Sequence, residues 1–424
     1  MKRVRWFAIA TVISWAACTT PPPEPDGSKA FVGARVWNGT GAEPIENAVL
    51  FVREGRVEAV GPAESVEISE GAERIDLAGK FIVPGLINTH AHVSDIKGLE
   101  GGQYNEENLL RQLRLYAKYG VTTANSLGGD GPEALRLRDA QDASLDRARI
   151  FVAGNVVTGA TVEEAQKQVD ENAAMGVDFI KIRVDDNLGT TEKMKPEVYQ
   201  AVIARAGEKG LKVASHLYYL EDAKGLLRAG TGFVAHSVRD REIDDEAISL
   251  LKEEDVCYCP TLTREVSTFV YEDVPDFFED PFFLKEADPA VLAQLKEPER
   301  MQKVKESTAA QSYKKALDQA KVNLKKAADS GATVAFGTDT GPAGRFQGYF
   351  EHMELSMMAD AGLTPKQILM SATGDAARCL GFDELGTLEK GKWADFVVLT
   401  EDPLSDIEKM RSIDSVWVAG NRVP

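Results

Sequence analysis

Residues 81–93, FIVPGLINTHAHV, decide the fold. An apolar run punctuated by Pro84 and Gly85 leads through Leu86 and Ile87 to two histidines separated by one residue. A strand has a side-chain period of two, so His90 and His92 share one side of it, the interior side if Ala91 faces out. Working outward, seven more runs have the same β character: GVTTANSL (120–127), RIFVAG (149–154), VDFIKIRV (177–184), LKVASHLY (211–218), TGFVAHSV (231–238), VCYCPTL (256–262) and TVAFGTD (333–339). Amphipathic helical patterns such as 163–175 and 197–209 separate them. Strand alternating with helix reads as βα units around a parallel sheet. Eight strands close a barrel, so residues 81–384 are expected to form an α/β unit, a (β/α)8 TIM barrel.

The flanks read differently. AFVGARVW (30–37), NAVLFVREGRVEAVG (47–61) and AERIDLAGKFIVPG (72–85) are short β-rich runs between turn signals, and the texture returns in GTLEKGKWADFVVL (386–399) and SVWVAGNRV (415–423). Segments 29–80 and 385–424 are therefore expected to build one small composite β-sandwich. The seventh and eighth strand candidates are separated by a long interval containing VYEDVPDFFEDPFF (270–283). A lid at 264–300 and an inert insertion both fit it.

With 43% hydrophobic and 27% charged residues, the chain has ample material for a core and no signature of disorder. Its start does not belong to the fold. Lys2, Arg3 and Arg5 precede an apolar run from Trp6 to Ala17, and Ala16-Ala17-Cys18 closes it with small residues, the pattern of a secretory signal over 1–17. Twelve apolar residues fall short of the roughly 20 that a membrane-spanning helix needs. The Cys after two alanines resembles a bacterial lipoprotein cleavage box, which implies a lipidated Cys18 followed by a proline-rich tether over 18–28 and an exported protein on the periplasmic side of the outer membrane. Cleavage removes three basic residues and moves the net charge from −18 to −21, which argues against nucleic acid as a partner. The remaining Cys257, Cys259 and Cys379 have no framework spacing and are read as buried thiols.

The chain has only five histidines, and four lie on strand candidates. His216 ends the fifth strand, His236 the sixth and Asp339 the eighth, at the carboxyl ends where barrel enzymes place their sites. One such histidine alone would read as a hydrogen-bonded core residue; the set reads as a metal site. Lys181 stands among Phe179, Ile180 and Ile182, where an ammonium is costly to bury. A neutral lysine amine can instead react with carbon dioxide, giving an anionic carbamate with two oxygens able to bridge two cations. His352 lies on a helical pattern and reads as a helix-face residue.

In order and spacing, His90-Ala91-His92, Lys181, His216, His236 and Asp339 resemble the metal-dependent amidohydrolase superfamily. VPGLINTHAHV, GVTTANSLGG, CPTL, FGTDTG, AGLTPKQILMSATGDAARCLG and LGTLEKGKWADFVVL extend the likeness over residues 30–423. Within it the chain resembles the imidazolonepropionase-related branch that includes Xaa-Pro dipeptidases. The resemblance implies two divalent metal ions. His90, His92 and Asp339 would hold the more buried one, His216 and His236 the other, and carboxylated Lys181 would bridge them together with a hydroxide. The donor set suits zinc, and manganese, cobalt and iron fit it too. Asp339 would be the catalytic residue, accepting the nucleophile's proton and passing it to the departing amine.

Substrate residues are less legible. Arg183, two residues after Lys181, can face the mouth and grip a carboxylate, or form an ion pair with Asp185 or Asp186. Tyr218 and Tyr219 can reach substrate or simply pack, and Arg239 and Arg345 are further loop candidates. The leading expectation is hydrolysis of an amide or peptide bond in a dipeptide or N-acyl amino acid. Its alternatives are a hydrolase or deaminase of a cyclic amide, lactone or heterocycle on the same scaffold, and a non-catalytic ligand-binding surface lipoprotein.

Overall fold

The computed structural model describes residues 24–424, so the expected signal segment and Cys18 lie outside the described residues. Among the described residues, fifteen strands run in chain order: β1 (Lys29–Val36), β2 (Ile45–Arg53), β3 (Arg56–Pro62), β4 (Glu73–Asp76), β5 (Phe81–Pro84), β6 (Leu86–Ala91), β7 (Val121–Ser126), β8 (Arg149–Val152), β9 (Phe179–Arg183), β10 (Lys212–His216), β11 (Phe233–Val234), β12 (Cys257–Tyr258), β13 (Phe396–Leu399), β14 (Ile413–Val418) and β15 (Asn421–Arg422).

β6-β7-β8 and β9-β10-β11-β12 are two parallel sheets, joined by a parallel bridge between Val157 and Ile182. The segment 333–340 closes the ring as the eighth stave without laddering as a full strand. Tyr258 N donates to Thr333 O on one side, while His92 N donates to Thr340 O and Asp339 N to His90 O on the other. The protein is thus a TIM barrel with a β-rich addition. The intervening helices are locally encoded. Val162–Met175, for example, starts at a capping box between Thr161 and Glu164 and stops at Gly176 in the left-handed region.

The run 81–93 is two strands rather than the single one expected. β5 pairs with β1 and β13 in the β-rich unit, whereas β6 enters the barrel. Gly85 is the pivot, because a Cβ there would lie 2.0 Å from Thr122 Oγ1. The β-rich unit joins both chain ends in one hydrogen-bonded eight-stranded sheet, ordered β15-β14-β13-β5-β1-β2-β3 with β4 on β1. Phe31 on β1 lies 4.7 Å, centroid to centroid, from Trp417 on β14, three strands away, so the sheet bends over its own core. A buried ion pair fastens it to the barrel: Arg149 on β8 donates to both oxygens of Asp395 at 2.6 and 3.1 Å. Removing one partner of such a pair costs about 3–5 kcal/mol.

One expectation needs revision. Cys257 and Cys379 form a disulfide, with Cα atoms 5.9 Å apart, leaving Cys259 as the free buried thiol. The barrel wall brings β12 against helix Gly374–Leu380 across 122 residues, a proximity that spacing cannot reveal. The interval after the seventh strand, where a lid and an inert insertion both fit, is built as a string of short helices from Leu262 to Glu306. Its Phe278 and Phe283 are buried with Tyr119, Tyr349 and Phe350 of the barrel, which anchors the insertion.

Candidate metal centre

The histidines and Asp339 are delivered at or just beyond the carboxyl ends of their staves, whereas Lys181 stands in the middle of β9. His90 and Lys181 are buried on β6 and β9. His216 ends β10, and His236 follows β11 by two residues. Asp339 stands on the closing segment in the left-handed region, φ 59°. The rings gather closely, with centroids 4.6 Å apart for His90 and His236 and 4.1 Å for His216 and His236. Ligand atoms of His90, His236 and Asp339 all lie within 4.8 Å of one another. Asp339 Oδ1 is 2.8 Å from His92 Nε2 and 3.6 Å from His90 Nε2, and Lys181 Nζ is 3.1 Å from His90 Nε2. All six residues expected at the site are therefore brought together.

Neighbours fix the rings from behind. His90 Nδ1 is 2.6 Å from Ala235 O, His92 Nδ1 3.3 Å from Gly128 O and His236 Nδ1 2.7 Å from Thr261 Oγ1, which turns each Nε2 inward. Burial holds His90 and His236 neutral, well below the ordinary imidazole range, and lowers His216 to about 3. Their lone pairs are available. Nε2 of both His216 and His236 is buried without a well-aligned hydrogen bond among the described residues, although Asp185 Oδ2 stands 3.2 Å from the first, a costly arrangement for polar atoms unless something binds there. A divalent cation fits these orphaned nitrogens and the Asp339 carboxylate. Burial brings the Lys181 ammonium down to about 8, favouring the neutral amine. Burial opposes ionisation of Asp339, but Arg345, His90 and His92 outweigh it and hold the carboxyl well below the usual range.

The substrate candidates are placed less uniformly. Arg183 Nε donates to Asp185 Oδ1 at 2.9 Å, so the ion pair anticipated as the competing reading is present. Asp185 Oδ2 lies 3.2 Å from His216 Nε2, making Asp185 a neighbour of the cluster that sequence reasoning treated only as a partner for arginine. Tyr218 packs with Tyr313, and Tyr219 donates to Asp186 at 2.8 Å. Arg239 is buried against Glu265 at 2.9 Å and reads as structural. Arg345 Nη1 donates to Asp339 Oδ2 at 2.6 Å. His352 lies outside the cluster, bonded to Tyr119 O at 2.8 Å. Thr261, Glu351 and Glu354 were missed altogether. The signal for the glutamates was two carboxylates three apart inside an otherwise apolar stretch, YFEHMELSMM.

A closed parallel barrel with imidazoles, a buried lysine and an aspartate at the carboxyl ends of its strands is the architecture of a hydrolase with a metal-binding centre. The chain belongs to the amidohydrolase family, whose profile matches residues 81–423. It is 22% identical over 412 residues to an imidazolonepropionase from Streptomyces avermitilis, covering 90% of this chain and 89% of that protein. An ochratoxinase from Aspergillus niger is 21% identical over 444 residues, covering 89% and 83%. Among solved structures, a Xaa-Pro dipeptidase with methionine bound in its active site superposes with a TM-score of 0.74 at 22% identity, covering 93% of this chain and 99% of the other.

Proposed function

We propose that this protein is a binuclear metal-dependent amidohydrolase that cleaves an amide or peptide bond, with dipeptides or N-acyl amino acids as its substrate class. The observation that carries the reading is Lys181, a buried amine 3.1 Å from His90 Nε2, lowered to about 8 and close enough to the Asp339 carboxylate to feel its charge. A single cation held by imidazoles and Asp339 would give such a lysine no task, whereas its carbamate would supply the negative charge that a pair of cations needs. Two divalent ions, when bound, make water a nucleophile near neutral pH and polarise the scissile carbonyl.

The chain's own residues do the rest. Asp339 turns Oδ1 towards the histidines while Arg345 holds Oδ2, so one oxygen remains to take a proton and return it to the leaving amine. Arg183 uses only Nε on Asp185, so both terminal nitrogens of its fork are unengaged among the described residues and suit a substrate carboxylate. A cavity of about 170 Å³ between the insertion, at Glu286–Asp288 and Val291, and the loop Gly341–Gln347 is lined in part by Arg345, the partner of Asp339. The Cys257–Cys379 disulfide supports an oxidising compartment. With the basic and apolar amino terminus, it supports an exported lipoprotein anchored through Cys18.

Relatedness to imidazolonepropionase favours a second reading, hydrolysis of a cyclic amide. The test is to measure metal per chain and follow a library of dipeptides, N-acyl amino acids and cyclic amides beside Asp339→Asn. Two metals with dipeptide turnover that the variant loses are expected. One metal, or turnover of cyclic amides alone, would overturn the proposal.

A further inference from the structure

Helix Tyr349–Asp360 packs behind the barrel and carries two fully buried carboxylates one turn apart, Glu351 and Glu354. Among the described residues, no lysine, arginine or histidine nitrogen lies within 4.0 Å of either. Burying two acids without cations is expensive, so their ligands must be donors that need them.

Glu351 Oε1 accepts from Asn88 Nδ2 at 2.6 Å, Thr338 Oγ1 at 2.8 Å and Thr340 Oγ1 at 2.5 Å, and Oε2 accepts from Gly348 N at 2.6 Å. Thr338 and Thr340 flank Asp339, whose φ of 59° is one that residues other than glycine avoid. Asn88 Oδ1 accepts from His90 N at 3.0 Å, and Thr340 O accepts from His92 N at 2.8 Å. One carboxylate thereby reaches the backbone around Asp339, His90 and His92.

Glu354 repeats the arrangement one turn on. Oε1 accepts from Leu262 N, and Oε2 from Thr263 N and Thr263 Oγ1, all at 2.7 Å. These contacts fasten the turn after Thr261, a β-branched residue held at φ 45°. Thr261 Oγ1 is the partner of His236 Nδ1 at 2.7 Å.

We propose that Glu351 and Glu354 are positioning residues that divide the centre between them, Glu351 setting His90, His92 and Asp339, and Glu354 setting His236 through Thr261. Each holds a left-handed residue in place, one a member of the cluster and the other its support. The inference rests on the metal reading above.

Glutamine keeps the volume but not the pattern. At position 351 an amide nitrogen must face either the three donors on Oε1 or the N–H of Gly348. At position 354 both orientations set N–H against N–H. The experiment titrates Zn2+ into the metal-stripped wild-type chain, Glu351→Gln and Glu354→Gln, and records kcat, KM and the melting temperature of each metal-free form. Outer-shell changes cost about ten- to hundredfold in metal affinity or activity. The expected result is a loss of that size in Zn2+ affinity in both variants, with kcat falling more than KM changes in Glu351→Gln. Thr340→Val and Thr261→Val remove one hydroxyl each and serve if a glutamine variant does not fold; Thr340→Ser should restore wild-type affinity.

Variants that melt lower yet bind Zn2+ and turn over like wild type would overturn the proposal and leave the metal reading standing. A wild-type chain that binds no Zn2+ would remove the metal reading and this proposal with it.

Discussion

Arg345 holds Asp339 at two points: its Nη1 donates to Oδ2 at 2.6 Å and to the backbone carbonyl at 3.1 Å. The carboxylate is thus fixed in position and kept ionised by a cation of the neighbouring loop. Arg345→Met removes the charge, so Asp339 retains its proton to higher pH. An ionised Asp339 is then lost on acidification at a higher pH than in wild type, and the acid limb of the kcat/KM profile should move upward. At neutral pH kcat should fall about a hundredfold from misplacement of the carboxylate. An unmoved acid limb would separate Arg345 from Asp339's proton.

The disulfide gives a prediction about stability rather than chemistry. Cys257–Cys379 closes a loop of 122 residues between β12 and helix Gly374–Leu380. Cross-links of this kind contribute about 2–5 kcal/mol, chiefly by restricting the unfolded chain. Cys257→Ser with Cys379→Ser should lower the denaturant midpoint accordingly while metal content stays the same. Equal midpoints for reduced and oxidised wild-type protein would contradict it.

Much of the barrel was legible because its signals are local. The two-residue spacing of His90 and His92 and the strand-end positions of His216, His236 and Asp339 depend only on strand period and the polarity of a parallel barrel. The break at Gly85 was also present as a Pro-Gly pair, but only the approach of Thr122 shows why the chain turns there. What escaped were contacts between distant segments. Asn88 meets Glu351 across 263 positions, and Thr263 meets Glu354 across 91. No periodicity within either partner records such a meeting. Asp185 was visible only as a counter-ion for Arg183, since its second oxygen faces His216 through the parallel register of β9 and β10, which pairs His216 with Arg183.

That placement makes Asp185 testable. One oxygen takes Arg183 and the other faces His216 Nε2, so the residue both neutralises an arginine and adds negative charge beside the half of the centre assigned to His216 and His236. Asp185→Asn keeps the shape and removes the charge. If the centre holds two ions as proposed, binding of the second Zn2+ per chain should weaken about tenfold or more, while the first is little changed. Parallel weakening of both would show that Asp185 does not act through His216 in particular.

On the binuclear proposal, Lys181 sets how many cations the site takes. An exposed lysine is neutral in less than about one molecule in a hundred at pH 8. Burial lowers Lys181 to about 8, which raises the share of neutral amine open to carbon dioxide. Wild-type protein equilibrated with 13C-bicarbonate and Zn2+ should show one added carbamate carbon resonance. Lys181→Met should lack that resonance and bind one metal where wild type binds two, because imidazoles and a single carboxylate leave two neighbouring dications short of negative charge between them. If Lys181→Met held two metals as tightly as the wild-type chain, the lysine would be no bridge, and its closeness to His90 would reduce to a buried amine sharing a hydrogen bond with an imidazole.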